Sequence, residues 1–258
     1  MNENKFAVII ATYMRKDGST FGNLKRVSNF LKNQTYQNFK IFLVGDDYDD
    51  KKEFDNIVSL FPKDKIFSYN NNISYRKNYF KIKMNKWTCG GLLARNIGIN
   101  ESIKQGFNYY LHLDDDDEWT NDHIEIINDT INKFPDVDFM INKSKYSNTF
   151  LPYEMTKKNY DNNYELKYNN FIPKKYNSVH SSWTVNLKTL GVMFKAEYEN
   201  RKKFIDKIKN CEVVEKDIMP FDAHLLTKIN KLQSDNKIKC ILINKCTVTK
   251  KSDCNIPQ

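Results

Sequence analysis

Residues 107–119 read FNYYLHLDDDDEW. The first seven are apolar or aromatic with little alternation, the pattern of a strand buried on both faces. They run straight into Asp114, Asp115, Asp116, Asp117 and Glu118. Five neighbouring carboxylates repel one another unless positive charge sits among them. A divalent cation suits that place, because hard cations take oxygen ligands. Three readings compete. An acidic turn capping a helix from Thr120 onward needs one or two acids, not five. A calcium loop would place Trp119 at its sixth position, where the backbone needs glycine, and would follow a helix rather than a strand, so it is discarded. The third is D-x-D: two carboxylates two residues apart on a bend, holding Mg²⁺ or Mn²⁺ beside a diphosphate and neutralising the charge on a phosphate leaving group.

Outward from this stretch, strands and helices alternate. KFAVIIA (5–11) and NFKIFLVG (38–45) read as buried strands, and KIFSY (65–69) as a short third one. Between them, 21–34 carries Phe21, Leu24, Val27, Phe30 and Leu31 at helical spacing, and 49–61 carries Phe54, Ile57, Val58 and Phe61 before Pro62. GGLLARNIGINESIKQG (90–106) reads as a helix before the strand at 107–113. Short links between alternating elements predict an α/β fold around a mostly parallel sheet, whose ligands sit at the carboxyl ends of the strands. Three polar clusters fall there: Thr12–Arg15, Asp46–Asp50 and Asp114–Glu118. Farther on, a helix is expected near 120–133, strands near 137–142, 189–194 and 238–244, and helices at 197–208 and 221–232. Residues 143–182, rich in Tyr, Asn and Lys, show weak periodicity.

The chain has 258 residues, 40% hydrophobic and 14% aromatic, ample for a buried core. Its formal charge of +9 suits an anionic ligand or surface. The lysines are scattered in pairs such as Lys157-Lys158 and Lys174-Lys175, with no basic stretch interleaved with aromatics, so nucleic acid is not expected as the ligand. The same charge allows peripheral contact with an anionic membrane without requiring it. Five cysteines without a CxxC pair argue for a reducing compartment and against zinc. The first apolar run, Phe6 to Ala11, is too short for a signal peptide, and no stretch approaches the ~20 apolar residues of a membrane span. A cytoplasmic protein is the expectation.

Asp46, at a strand tip, suits a hydrogen bond from a base N–H, although a strand-to-helix turn with an Asp cap explains the same residues. Arg95 suits a diphosphate or base, because guanidinium matches phosphate geometry, although it could equally be an exposed helix residue. The chain holds no GxGxxG after the first strand and no GxxxxGK, which argues against dinucleotide-binding and P-loop chemistry.

Taken in order, VIIATYMR (8–15), QTYQNFKIFLVGDDYDD (34–50), GGLLARNIGI (90–99) and YYLHLDDDDEW (109–119) resemble the successive motifs of family 2 glycosyltransferases with the GT-A fold. The resemblance implies an inverting, metal-dependent transferase using a nucleotide-sugar, most often UDP-linked. It places Thr12, Tyr13, Arg15, Asp46, Asp47, Arg95, Asp114 and Asp115 at the donor, with Thr12 and Asp46 on the base, Arg95 near the nucleotide and Asp114 on the ribose. Asp116 becomes the metal ligand, with Asp114 as a second candidate, and Asp117 matches the doubled acid. An acidic general base at the start of a later helix aligns with Asp222, where Phe221 replaces the usual Glu; Asp217 and Glu215 are the alternatives. VHSSW (179–183) is a candidate acceptor lining, with His180 present and Trp183 stacking on a sugar, although a core role for Trp183 is equally consistent. His112 is expected to be packed. The resemblance implies one domain over 1–258, with 1–119 holding the donor and 120–258 a glycan, lipid-linked or protein acceptor. Two other classes stay open: a sugar-phosphate nucleotidyltransferase, for which ATYMRKDGS (11–19) is a poor Gly-rich loop, and a GT-A nucleotide-binding module without turnover.

Overall fold

The computed structural model describes residues 4–71, 91–146, 149–151, 166–168, 178–209 and 221–250. In chain order the elements are β1 (Phe6–Thr12), α1 (Ser19–Lys32), β2 (Phe39–Asp46), α2 (Lys51–Val58), β3 (Ile66–Asn71), α3 (Leu92–Lys104), β4 (Tyr109–Asp114) and β5 (Glu118–Trp119). They continue as α4 (His123–Lys133), β6 (Phe139–Tyr146), β7 (Thr149–Leu151), β8 (Leu166–Tyr168), β9 (Trp183–Asn186), α5 (Leu187–Lys209), α6 (Phe221–Ser234) and β10 (Cys240–Lys250).

The described strands form one sheet in the order β3-β2-β1-β4-β9-β6-β10-β5, with β7 added to β6 and β8 to β10. β3, β2, β1 and β4 run parallel, β9 is antiparallel to both neighbours, and β6 and β10 are parallel to each other. This is the mostly parallel α/β sheet that the alternating pattern predicts.

Strand alternation splits the core between the two faces. Phe6, Val8 and Ile10 of β1 pack with Leu24, Val27 and Leu31 of α1, Phe54 and Ile57 of α2, and Ile124, Ile127 and Ile131 of α4. Ala7 and Ile9 face the other way, against Leu92 and Ile99 of α3, Leu190 and Phe194 of α5, and Leu225 and Ile229 of α6. Burial on both faces is why β1 has no polar residue before Thr12. Helix α3 lies close on the sheet: a Cβ added at Gly98 would stand 2.6 Å from Ile9 Cγ2.

One expected strand is corrected. Residues 189–194 lie in the first turns of α5, where Leu187, Leu190 and Phe194 face the core at helical spacing and Val192 is exposed. A six-residue apolar run does not separate strand from helix by periodicity alone. The strand there is instead the preceding four residues, β9, and β10 runs six residues past the expected end at 244. No helix among the described residues is long and apolar enough to cross a membrane.

Candidate functional site

Because β1, β2 and β4 are adjacent and parallel, their carboxyl ends form one edge. Thr12 lies opposite Gly45, Ala11 opposite Asp114, and Asp46 opposite Asn71. The three polar clusters of the sequence therefore meet. At the β2 tip, Asn70 receives the Tyr48 N–H on Oδ1 and donates to the Tyr48 carbonyl, fixing a turn in which Asp47 adopts φ +65°. A side chain at Gly45 would strike Asn70 Oδ1 at 2.7 Å. Asp46 Oδ2 accepts the Gly91 N–H at 3.3 Å, which ties the start of α3 to this edge. Gly91 has φ +68°, and a Cβ there would stand 3.0 Å from Ala11 Cβ, so glycine is required on both counts. One turn later, α3 delivers Arg95.

The aspartates are not equivalent. Asp115, 4% exposed, accepts from Thr12 Oγ1 at 2.9 Å and from Arg15 through Nη1 at 3.0 Å and Nη2 at 2.7 Å. Thr12 also bonds the Tyr48 hydroxyl at 2.9 Å, and the Arg15 guanidinium stands 4.9 Å from the Tyr13 ring centroid. Thus Thr12 and Arg15 converge on Asp115, with the Tyr13 ring against the guanidinium. Burial disfavours the Arg15 charge, yet Asp115 holds its pKa above the ordinary value.

Asp114 Oδ1 accepts from His112 Nε2 at 2.8 Å and from Arg95 Nη2 at 3.3 Å. Burial alone would raise the Asp114 pKa; His112, Lys250 and Arg95 hold it well below the usual carboxylate range. His112 Nδ1 pairs with the Tyr110 hydroxyl at 2.6 Å, and its ring stacks on His180 at 3.6 Å. Burial pushes the pKa of His112 down. A neutral imidazole donating from Nε2 to the carboxylate satisfies both contacts.

Asp116 is 25% exposed in its side chain and touches Arg15 Nη2 at 3.0 Å through Oδ2. Burial, with Asp115 and Asp114 beside it, raises its pKa. Asp117 is fully buried, accepts from Ser181 Oγ at 2.6 Å, and keeps Oδ1 without a hydrogen-bond partner. Its pKa is pushed up to about 8 by burial, and by Asp114 and Asp116 against the opposing Lys250 and Ser181. Ser181 Oγ also receives the Asp114 N–H at 2.9 Å. Lys250 Nζ, from the end of β10, stands 3.7 Å from Asp114 Oδ2 and 3.8 Å from Asp117 Oδ1.

This arrangement bears on the expected metal. No group of three or more His, Cys, Asp or Glu poised for a metal occurs among the described residues. A Mg²⁺-like ion, however, commonly takes one or two carboxylates and completes its shell with substrate phosphates and water. The hydrogen bonds to Asp116 and Asp114 fall on one oxygen each, Asp116 Oδ2 and Asp114 Oδ1. Burial first, and then the neighbouring Asp115 and Asp114, raise the Asp116 pKa, so its charged form would gain from a cation. The residues fit a cation held by Asp116, with Asp114 second, rather than an all-protein cage.

Asp222 is in the first turn of α6, half-buried, with Oδ1 accepting the Ala223 N–H at 2.8 Å. Its charge is felt at Arg95 and Tyr198, which places it beside the Arg95 side of the site. Asp217 and Glu215 lie outside the described residues. Of the two readings of Trp183 in VHSSW, sugar stacking or core, its surroundings match the core one. That side chain is 1% exposed, donates Nε1–H to Ser178 Oγ at 2.9 Å and packs on Phe139, leaving no ring face for a sugar. His180 is also buried, 6% exposed, under His112. The sequence reading missed Ser181, Lys250 and the Tyr110–His112–Asp114 chain. The last had a signal, since alternate residues of a strand share a face; Ser181 lay inside VHSSW without a role read for it, and Lys250 had no signal.

The family model described as Glycosyl transferase family 2 matches residues 7–189. The chain is 35% identical over 187 residues to "Uncharacterized glycosyltransferase R139" of Acanthamoeba polyphaga mimivirus, covering 70% of this chain and 72% of that protein. Its backbone resembles that of S. aureus TarS, with a TM-score of 0.54 at 12% identity over 98% of this chain. S. aureus TarS 1–349 in complex with UDP-GlcNAc gives a TM-score of 0.53 at 14% identity, again over 98% of this chain. The chain spans 37% and 60% of those two chains, so the likeness concerns the fold, which is GT-A. With the family model matching most of its length and a curated relative agreeing, the chain belongs to glycosyl transferase family 2.

Proposed function

We propose that the protein is an inverting transferase that moves a sugar from a nucleotide-sugar, UDP-linked in the first instance, to an acceptor hydroxyl in the cytoplasm. The observation that carries this reading is the convergence of Thr12, Asp46, Arg95 and Asp114–Asp117 on one edge of three parallel strands. The UDP-GlcNAc bound to the structural relative supports a UDP-linked donor. The chain works as one domain, 1–119 for the donor and 120–258 for the acceptor.

In this reading, Asp46 takes a base N–H and Asp114, held ionised by His112, takes the ribose. Arg15 and Thr12 lock Asp115, so that residue shapes the floor beneath the donor. Arg95 faces the diphosphate and stabilises the charge that grows on it as the bond to the anomeric carbon breaks. Asp222 accepts the acceptor hydroxyl proton as the oxygen attacks from the opposite side. A divalent cation, Mn²⁺ or Mg²⁺, held by Asp116 with Asp114 second, would neutralise diphosphate charge.

The test is thermal stabilisation by UDP, GDP, CMP and dTDP, each with Mn²⁺ and with EDTA, on wild type and Asp116→Ala. Ligand binding to the native state raises the melting temperature. A metal-dependent rise with one nucleotide, lost in the variant, is expected. No rise with any nucleotide would sink the reading.

A further inference from the structure

We propose that Glu197 and Glu199 of α5 are positioning residues that set the separation of Arg95 and Asp222. The inference rests on the transfer reading above and deepens it. In that reading the two groups serve opposite sides of the reacting carbon, Arg95 the departing diphosphate and Asp222 the acceptor hydroxyl. They sit on different helices, α3 and α6, and α5 packs against both. Three consecutive residues of α5 make the link. Glu199 Oε1 accepts from Asn96 Nδ2 at 3.0 Å, one residue after Arg95. Tyr198, 1% exposed, packs its ring 4.5 Å from that of Phe221, the residue before Asp222. Glu197 Oε2 accepts from His224 Nε2 at 2.7 Å, two residues after Asp222, and its Oε1 stands 3.5 Å from Lys228 Nζ.

The helix makes this bridge possible. Successive residues turn by about 100°, so side chains two apart leave a helix in nearly opposite directions and can hold neighbours on opposite sides. Each bond grips a neighbour of a site residue rather than the site residue itself, which leaves Arg95 and Asp222 their own contacts. The grips are firm: Glu197 is 13% exposed in its side chain and Asn96 is buried, so water competes little for either bond. Asn96 also receives Asn100 Nδ2 on Oδ1 at 3.1 Å, which fixes the face its amide turns to Glu199. The charges of Arg95 and Asp222 both reach the buried Tyr198 hydroxyl, so the clamp lies close to both. A misplacement of about 1 Å between reacting groups can cost about a hundredfold in rate, and that is the quantity the clamp controls.

The experiment measures UDP release from UDP-glucose, UDP-galactose or UDP-GlcNAc, whichever the wild type cleaves fastest, with Mn²⁺ present and water as the acceptor. The water oxygen bonds the anomeric carbon as the bond to the diphosphate oxygen breaks; Asp222 takes the proton, and UDP leaves with the electron pair. Calorimetric titration with UDP runs alongside. Glu197→Ala and Glu199→Ala should each lower kcat about tenfold or more, with UDP affinity within about threefold because Arg95 keeps Asp114. Glu197→Gln and Glu199→Gln keep an acceptor oxygen for His224 and Asn96, so their kcat should stay within about threefold of wild type. Unchanged kcat in the alanine variants would overturn the assignment. So would equal losses of kcat and UDP affinity, which mark a general disturbance, or glutamine variants as impaired as the alanine ones. A wild type that binds UDP but cleaves none of the donors would be a module without turnover, which overturns this inference and leaves the donor site standing. A wild type that binds no UDP removes the donor reading itself, and this inference with it.

Discussion

Removing the Arg15 charge while keeping its apolar stem, in Arg15→Met, probes the most closely bonded pair in the site. Asp115 accepts three hydrogen bonds in the structure, and Arg15 supplies two of them. Hydrogen bonds to a charged group contribute about 1.5–3 kcal/mol each, so the two together set a scale of about 3–6 kcal/mol. Breaking a buried pair by removing one partner costs about 3–5 kcal/mol, because the other charge is left buried. Here Asp115 keeps Thr12, and the Arg15 side chain is 15% exposed, so water can partly replace it. Asp116, 25% exposed, is hydrated when its Arg15 contact is lost. The expected cost is therefore at the low end, about 3 kcal/mol. Asp115→Asn alone should cost about 2 kcal/mol, and the double variant about 3 rather than 5, a coupling of about 2 kcal/mol. Urea unfolding of all four proteins in EDTA, with matched slopes, measures this directly. Single costs that simply add, or an Arg15→Met variant within about 0.5 kcal/mol of wild type, would refute the idea that Arg15 is held by Asp115 as a structural pair.

Two further outcomes are expected. With its pKa raised to about 8, buried Asp117 binds a proton in the folded state that the unfolded chain releases near pH 4. The native state then holds more protons between those values, so wild-type stability should fall relative to Asp117→Asn as the pH rises from about 4 to about 8; a parallel pH profile for the two metal-free proteins in urea melts would contradict it. Gly98→Ala should cost about 2 kcal/mol by forcing a methyl against Ile9 Cγ2, despite the helix propensity gained, and in an Ile9→Ala background, itself destabilised, the added cost of Gly98→Ala in chemical denaturation should be smaller.

By itself, the sequence determined the first, parallel part of the sheet and the polar edge at its carboxyl ends. The apolar runs of β1, β2 and β4 are buried on both faces, which leaves them nearly free of polar residues until the edge is reached. Parallel strands then carry Thr12, Asp46 and Asp114 to one side whatever the details of packing. The second half was less legible because its signals are local and ambiguous: TLGVMF (189–194) serves a helix face as well as a strand, and Trp183 fits a core as well as a sugar. Tertiary structure alone decided which partners each aspartate meets. Four identical residues in a row carry no label, and they differ only through the groups that distant elements bring to them: Arg15 and Thr12 to Asp115, His112 and Arg95 to Asp114, and Ser181 and Lys250 to Asp117. Electrostatic environment depends on distance in space and on burial, and neither is written in the spacing of residues along a chain.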